Sequence, residues 1–435
     1  MRKIERGLVE LYNEDPERAD ELVFGRKAGP GRRGFLKGAG LASMGAVLGT
    51  TIPFSSNMPA GLIPAALAET VDAFRFEAKH PDMIVHNDRP VNVEAAAHLL
   101  DDDVTPADKH FIRNNGTMPD PIDKAAWRLK IDGEVENEME LSYDQLMNDF
   151  EHVTLRLQIE CGGNGRAGFN PLPRGNPWSV GAIGNAEWTG VRLSDLLRAA
   201  GLKQSAVYTG HFSYDEHLSG DPDRPSISRG GPIDKMMDPH TIVALKMNGE
   251  DIPIEHGFPV RMITPGWAGS ASQKWLTRVW VRDREHDGPG MTGLSYRVPR
   301  YPVEAGAEVP HEDMMVMGSM IVKSVITFPE AGAQVAAGRA FEVRGQAWAG
   351  DNHVTKMETS IDFGATWQQA ELHAAPNRYS WQRWRAQITP PQAGYYEVWA
   401  RATDDQGRGQ PVVVPGWNPR GYLNNSCHRI HFTAV

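Results

Sequence analysis

Val153, Leu155, Leu157 and Ile159 alternate with more polar neighbours and run straight into Cys161-Gly162-Gly163-Asn164-Gly165-Arg166. Alternation with period two marks a strand with one buried face, because successive side chains point to opposite sides of a pleated backbone. Three glycines in the next four positions end the strand and clear space where a backbone must approach a bulky ligand. A thiol is thereby placed in a loop at a strand end, with an arginine five residues on. Such a loop suits the anchoring of a cofactor. The chain has one other cysteine, Cys427, and a bridge between the two is the competing reading in an oxidising compartment.

The N-terminus suggests that compartment. Arg32 and Arg33 precede a glycine-rich, modestly apolar stretch ending near Ile52, with Ala66-Leu67-Ala68 beyond it. Twin arginines before such a stretch predict a leader over residues 1–68 that sends an already folded protein to the periplasm. The stretch is too short for a good membrane span. The leader holds nine basic and seven acidic residues, so its removal moves the formal net charge from −10 to −12. An acidic chain with no basic run after its leader argues against nucleic acid as a partner. No Cys-x-x-Cys-His occurs, which predicts no covalent haem, and no Cys/His spacing suggests zinc or iron–sulfur. A metal would then arrive inside an organic cofactor, with Cys161 as one thiolate ligand.

Three segments follow the leader. Residues 69–108 are polar and read as an extended arm or linker, with Asp101-Asp102-Asp103 as solvated surface. Residues 109–310 carry mixed signals. Leu193, Leu196, Leu197 and Ala200 have helical spacing with Gly201 as a stop, and Asn248-Gly249 marks a hairpin. That is an α+β pattern, a mixed α/β domain without regular βαβ alternation. In residues 311–435, Phe341–Trp348 and Tyr395–Ala400 alternate between turn-rich joints. They predict an antiparallel β-sandwich of immunoglobulin type.

Several short motifs occur in a fixed order: Phe111-Ile112-Arg113-Asn114, Cys161 to Arg166, Gly181 to Gly190, His256 to Arg261, Pro265-Gly266, Lys274-Trp275 and Trp417 to Gly421. Through them residues 109–435 resemble the sulfite oxidase family of molybdenum enzymes. The doubled glycine after Cys161 and Arg174-Gly175-Asn176-Pro177-Trp178 are most similar to the family's sulfane dehydrogenase branch, the SoxC subunits. The resemblance implies a molybdopterin whose dithiolene joins Cys161 on molybdenum. It implies Asn114, His256, Arg261 and Lys274 around the pterin and its phosphate. Asn115 stands where the family has a histidine, so that contact is altered or lost. Arg113, Arg166 and Arg420 correspond to the anion-pocket arginines and Trp178 to an aromatic wall. Guanidinium groups suit this task, since they stay charged and match sulfo oxygens in pairs. The family's tyrosine motif is missing, and Tyr296 is the nearest replacement.

The implied activity is sulfur oxidation at molybdenum. The substrate is either the sulfane sulfur of a carrier-protein persulfide or free sulfite, with electrons passing to a c-type cytochrome. A homodimer through the C-terminal domain follows by the same resemblance. A related methionine sulfoxide reductase generally lacks that domain. A cofactor-free binding module would leave Cys161 and the matched arginines without a role.

Overall fold

The computed structural model describes residues 76–435; the leader over residues 1–68 lies outside them. The strand expected before Cys161 is present as His152–Glu160. It pairs antiparallel with Ile183–Arg192, which pairs with Ile242–Met247, which in turn pairs with both Glu250–Asp251 and Arg261–Ile263. The hairpin between Ile242–Met247 and Glu250–Asp251 turns at Asn248 (φ 52°) and Gly249 (φ 85°), the left-handed pair that an Asn-Gly turn supplies at low steric cost. A second sheet runs in the order Met139–Ser142, Arg128–Gly133, Leu276–Arg282, Tyr208–Ser213, with its middle pair parallel.

Helix is scarce. Leu193–Ala200 stops at Gly201 (φ 74°), and Leu193, Leu196 and Leu197 bury their shared face against Val243, Leu245 and Val279. Tyr143–Asn148 is a single capped turn and a half, with Ser142 and Gln145 exchanging side-chain-to-backbone bonds. The expected mixed domain is therefore mostly sheet, with central strands such as Ile242–Met247 buried along nearly their whole length.

The C-terminal segment forms two sheets over one core. One is Lys323–Phe328, Phe341–Trp348, Gln382–Ile388 and Glu371–Leu372; the other is Ala333–Val335, His428–Ala434, Gly394–Asp404, Val354–Ser360 and Gln368–Gln369. Val343, Trp384 and Ile388 from the first meet Met357, Val398 and Phe432 from the second.

The expectation of an extended arm over residues 69–108 needs correction. Ile84–Asp88 and Val91–Glu94 form a three-stranded sheet with Ile112–Arg113. Val93, Leu99 and Leu100 pack with Val325, Trp348 and Trp381 of the C-terminal segment. The acidic run is not merely solvated. Asp101 accepts from Arg344 Nη2 at 2.7 Å and Thr327 Oγ1 at 2.6 Å, and Asp103 pairs with Arg383 at 2.9 Å. Burial of alternate apolar groups and half-buried guanidinium donors that take up the acidic side chains override the polar look of the stretch.

No helix among the described residues is long and apolar enough to cross a membrane.

Candidate active site

Cys161 follows the last residue of its strand, its N–H donating to Ala182 O and its carbonyl accepting from Asn164 N, both at 2.9 Å. Beneath it, Glu160 is held by groups from the C-terminal sheets. Its carboxylate accepts from Lys323 Nζ at 2.7 Å and Trp348 Nε1 at 2.8 Å, and from Asn164 Nδ2 at 3.1 Å. Lys323 also donates to Asn164 O at 2.8 Å. Both cysteines are free and buried, so the alternative disulfide is not formed. Cys427 packs with its thiol toward Gln410 O at 3.8 Å, and burial pushes that thiol up to about 11.

The glycines after Cys161 make room for an internal neighbour. A Cβ on Gly163 would run into the Arg166 guanidinium, and one on Gly175 would lie 2.8 Å from Arg166 Nη1. Arg166 is buried, with Nε donating to Arg420 O and Nη1 to Asn176 O, each at 2.7 Å. Burial lowers its pKa, and the nearby Cys161 side chain opposes that shift. The clearance expected for a ligand is thus occupied by an arginine side chain beside the loop.

Cys161 opens onto a cleft of about 640 Å³ free of protein atoms, its solvent-open mouth included. Arg113, Asn114, Asn115, His256, Arg261, Lys274 and Tyr296 line it, so seven of the sequence-derived site residues join Cys161 there. Arg113 donates to Asn114 O and, at 2.7 Å, to Asn115 Oδ1. Tyr296, at φ 54°, donates its hydroxyl to the same Asn115 oxygen at 3.3 Å. Asn115 therefore ties an arginine to a tyrosine. Trp178 is fully buried with its ring 4.7 Å from His86, and does not line this cavity. Arg420 meets the site through its backbone carbonyl.

The inner end of the cavity is crowded with cationic groups. Arg261 is lowered to about 9 by burial. Lys274 and His256 fall well below their usual values, each through burial first, with Arg261 and Lys79 respectively adding repulsion. His110 drops to about 3 and Lys79 to about 8, again through burial. Lys79 Nζ sits 2.6 Å from His256 Nε2, and Lys274 donates to Asn114 Oδ1. Sequence reasoning missed Lys79, in the stretch read as an arm, and His110, one residue before the Phe111 motif; both meet His256. Such crowding calls for a bound anion.

Four polar side-chain atoms that line the cavity or its wall are buried without a protein partner: Asn114 Nδ2, Arg261 Nε, Ser270 Oγ and Gln273 Oε1. Buried polar groups are nearly always paired, so this set fits a group carrying both acceptors and donors. An anionic end would meet Arg261 and Asn114, and a ring with N–H groups would meet Gln273. A pterin phosphate with a sulfur ligand beside Cys161 has that chemistry.

Residues 115–289 match the oxidoreductase molybdopterin binding domain, and residues 314–434 the Mo-co oxidoreductase dimerisation domain. The chain is 33% identical to mitochondrial sulfite oxidase of Homo sapiens over 386 residues, covering 84% of this chain and 69% of that protein. It is 31% identical to sulfite oxidase of Gallus gallus over 370 residues, covering 81% and 78%. Its fold is like that of the sulfane dehydrogenase SoxCD from Paracoccus pantotrophus, with a TM-score of 0.66 over 88% of this chain and 95% of that one, at 23% identity.

Proposed function

This chain belongs to the sulfite oxidase family of molybdenum enzymes, and we propose that its substrate is the sulfane sulfur of a persulfide on a carrier-protein cysteine. At the coarser level it is a molybdopterin oxidoreductase acting on sulfur. The observation that carries the reading is the convergence of Cys161 and four unpartnered polar atoms on one cation-rich cavity. Cys161 would hold the metal, and Arg261, Lys274, His256 and Asn114 the phosphate and ring. Bound there, the molybdenum cofactor supplies oxygen transfer to sulfur and takes up two electrons.

The chain's own residues hold the oxidised sulfur. Arg113 on the cavity wall and Arg166 behind the Cys161 loop supply positive charge, and Arg420 contributes the backbone carbonyl that holds Arg166. Two Arg166 donors are engaged by backbone carbonyls, and Arg113 by Asn114 and Asn115. Guanidinium N–H groups therefore remain on both arginines for a sulfur-bound oxygen, whether the sulfur is free or carried on a protein. The Tyr296 hydroxyl, which donates to Asn115 Oδ1 over a long 3.3 Å, would turn that one proton to a sulfur-bound oxygen when substrate is present. The C-terminal sheets, in our reading of immunoglobulin type, form the dimer contact. A c-type cytochrome takes the electrons, and the twin-arginine leader places the enzyme in the periplasm.

Cytochrome c reduction by the molybdenum-loaded protein tests this. Turnover with a persulfide-bearing carrier and little with free sulfite is the expected result. Fast turnover with sulfite would overturn the substrate assignment. It would favour the second reading, a sulfite dehydrogenase, for which the identity to sulfite oxidases speaks. Natively exported protein free of molybdenum would instead point to a binding module.

A further inference from the structure

Arg229 is fully buried, yet none of its hydrogen bonds among the described residues goes to a carboxylate, and the aromatic hydroxyls of Tyr296, Tyr208 and Tyr422 and the like-charged Arg297 are its leading charged neighbours. Its Nη1 donates to Gly290 O and Met291 Sδ at 3.0 Å, Nη2 reaches Met317 O at 3.5 Å, and Nε has no partner. A buried charge without a counter-charge is costly, and proteins keep one where a ligand completes it. Its guanidinium carbon lies 5.0 Å from the Tyr296 ring centroid. Tyr296 stacks on Tyr422 at 5.7 Å and 11°, and the Arg166 guanidinium lies 5.3 Å from the other ring. The four side chains alternate as cation, ring, ring, cation. Tyr422 also accepts the Tyr296 N–H on its hydroxyl at 3.3 Å, fixing the backbone whose φ is positive.

We propose that Arg229 and Tyr422 are positioning residues, which complete a cation–aromatic column that holds the Tyr296 hydroxyl and Arg166 toward a bound sulfur oxyanion and adds one uncompensated positive charge to its site. The proposal rests on the functional reading above, in that Tyr296 and Arg166 face the substrate. Cation–ring contacts strengthen when water is excluded, as here. A phenol ring backed by a positive charge is a stronger hydrogen-bond donor at its hydroxyl, and the Tyr296 hydroxyl already reaches Asn115 at the cavity wall.

Sulfate, as an unreactive oxyanion, is the probe, with its binding to the holoenzyme followed by calorimetry beside kcat and KM. Arg229→Met keeps the bulk and removes the charge. It should weaken sulfate by at least about tenfold and raise KM more than it lowers kcat. Arg229→Lys should recover part of that affinity. Adding Tyr296→Phe to Arg229→Met should cost little more, since both act through one hydroxyl. Sulfate affinity within about twofold of wild type in folded Arg229→Met would overturn the proposal and leave Arg229 a brace for loop carbonyls. Should that variant not fold, Tyr422→Leu breaks the column with all charges kept, and unchanged sulfate affinity there would overturn it equally. Wild-type protein that binds sulfate but turns over neither sulfite nor persulfide would sink the functional reading and not the column.

Discussion

Replacing Lys323 by methionine would strand a carboxylate in the interior. Glu160 is 1% exposed, and the Lys323 ammonium 2.7 Å away is the one positive charge paired with it among the described residues. Removing one partner of a buried ion pair typically destabilises by about 3–5 kcal/mol, because the other charge is left without compensation. Trp348 Nε1 and Asn164 Nδ2 still donate to Glu160, which argues for the lower end of that range. Lys323→Met also takes a donor from Asn164 O, so the Cys161 turn should loosen and molybdenum content should fall with stability. The double variant Glu160→Gln with Lys323→Met removes both charges and keeps a hydrogen-bonding group, and should recover all but about 1–2 kcal/mol. Urea unfolding followed by far-UV circular dichroism reads the stability, and metal analysis reads the loading. A single variant losing less than about 1 kcal/mol, or a double variant no better than the single, would refute the reasoning.

Cys161→Ser should lower molybdenum-dependent turnover more than about 100-fold while the phosphate contacts keep pterin content, and full turnover would sink the ligand assignment. Gly163→Ala drives a methyl group into the Arg166 guanidinium and should raise KM about tenfold, read by steady-state kinetics. His211 and His428 are lowered by burial to about 3 and about 4, and His428 Nδ1 accepts from Ile326 N, so both stay neutral in the fold and protonate in the unfolded chain below about 6.5. Unfolded protein then binds more protons, so stability is full above that pH and lost on acidification toward the folded values. The pair should remove roughly 3–4 kcal/mol between pH 7 and 5, and a flat profile of urea midpoints would contradict this.

Local signals read true where their physics is local. Alternation before Cys161, the stop at Gly201 and the Asn248-Gly249 turn each depend on a few adjacent residues, and each stands in the fold. The acidic run was illegible because its partners Thr327 and Arg344 lie 226 and 243 residues away. Lys79 reaches His256 across 177 residues, and no spacing rule reports such a contact. Motif order brought Arg113, His256, Arg261 and Lys274 to the cavity with Cys161, yet it also suggested a wall at Trp178, whose ring turns instead to His86. The glycines after Cys161 signalled close approach correctly but not by what, since composition cannot tell a ligand from an arginine folding back.

The braces on the Cys161 turn carry a consequence for the order of assembly. Lys323 and Trp348 stand 163 and 188 residues beyond Glu160, and Asn424, which donates to Gly165 O at 2.7 Å, stands 259 residues beyond Gly165. On a ribosome, the sheet behind the loop is synthesised well before any of these groups. A nascent chain therefore offers a thiol on an unsupported turn, and the turn takes its final shape only once Lys323, Trp348 and Asn424 have emerged. Firm anchoring of a cofactor is thereby tied to synthesis of the C-terminal sheets, so that a chain ended before Asn424 should hold it poorly.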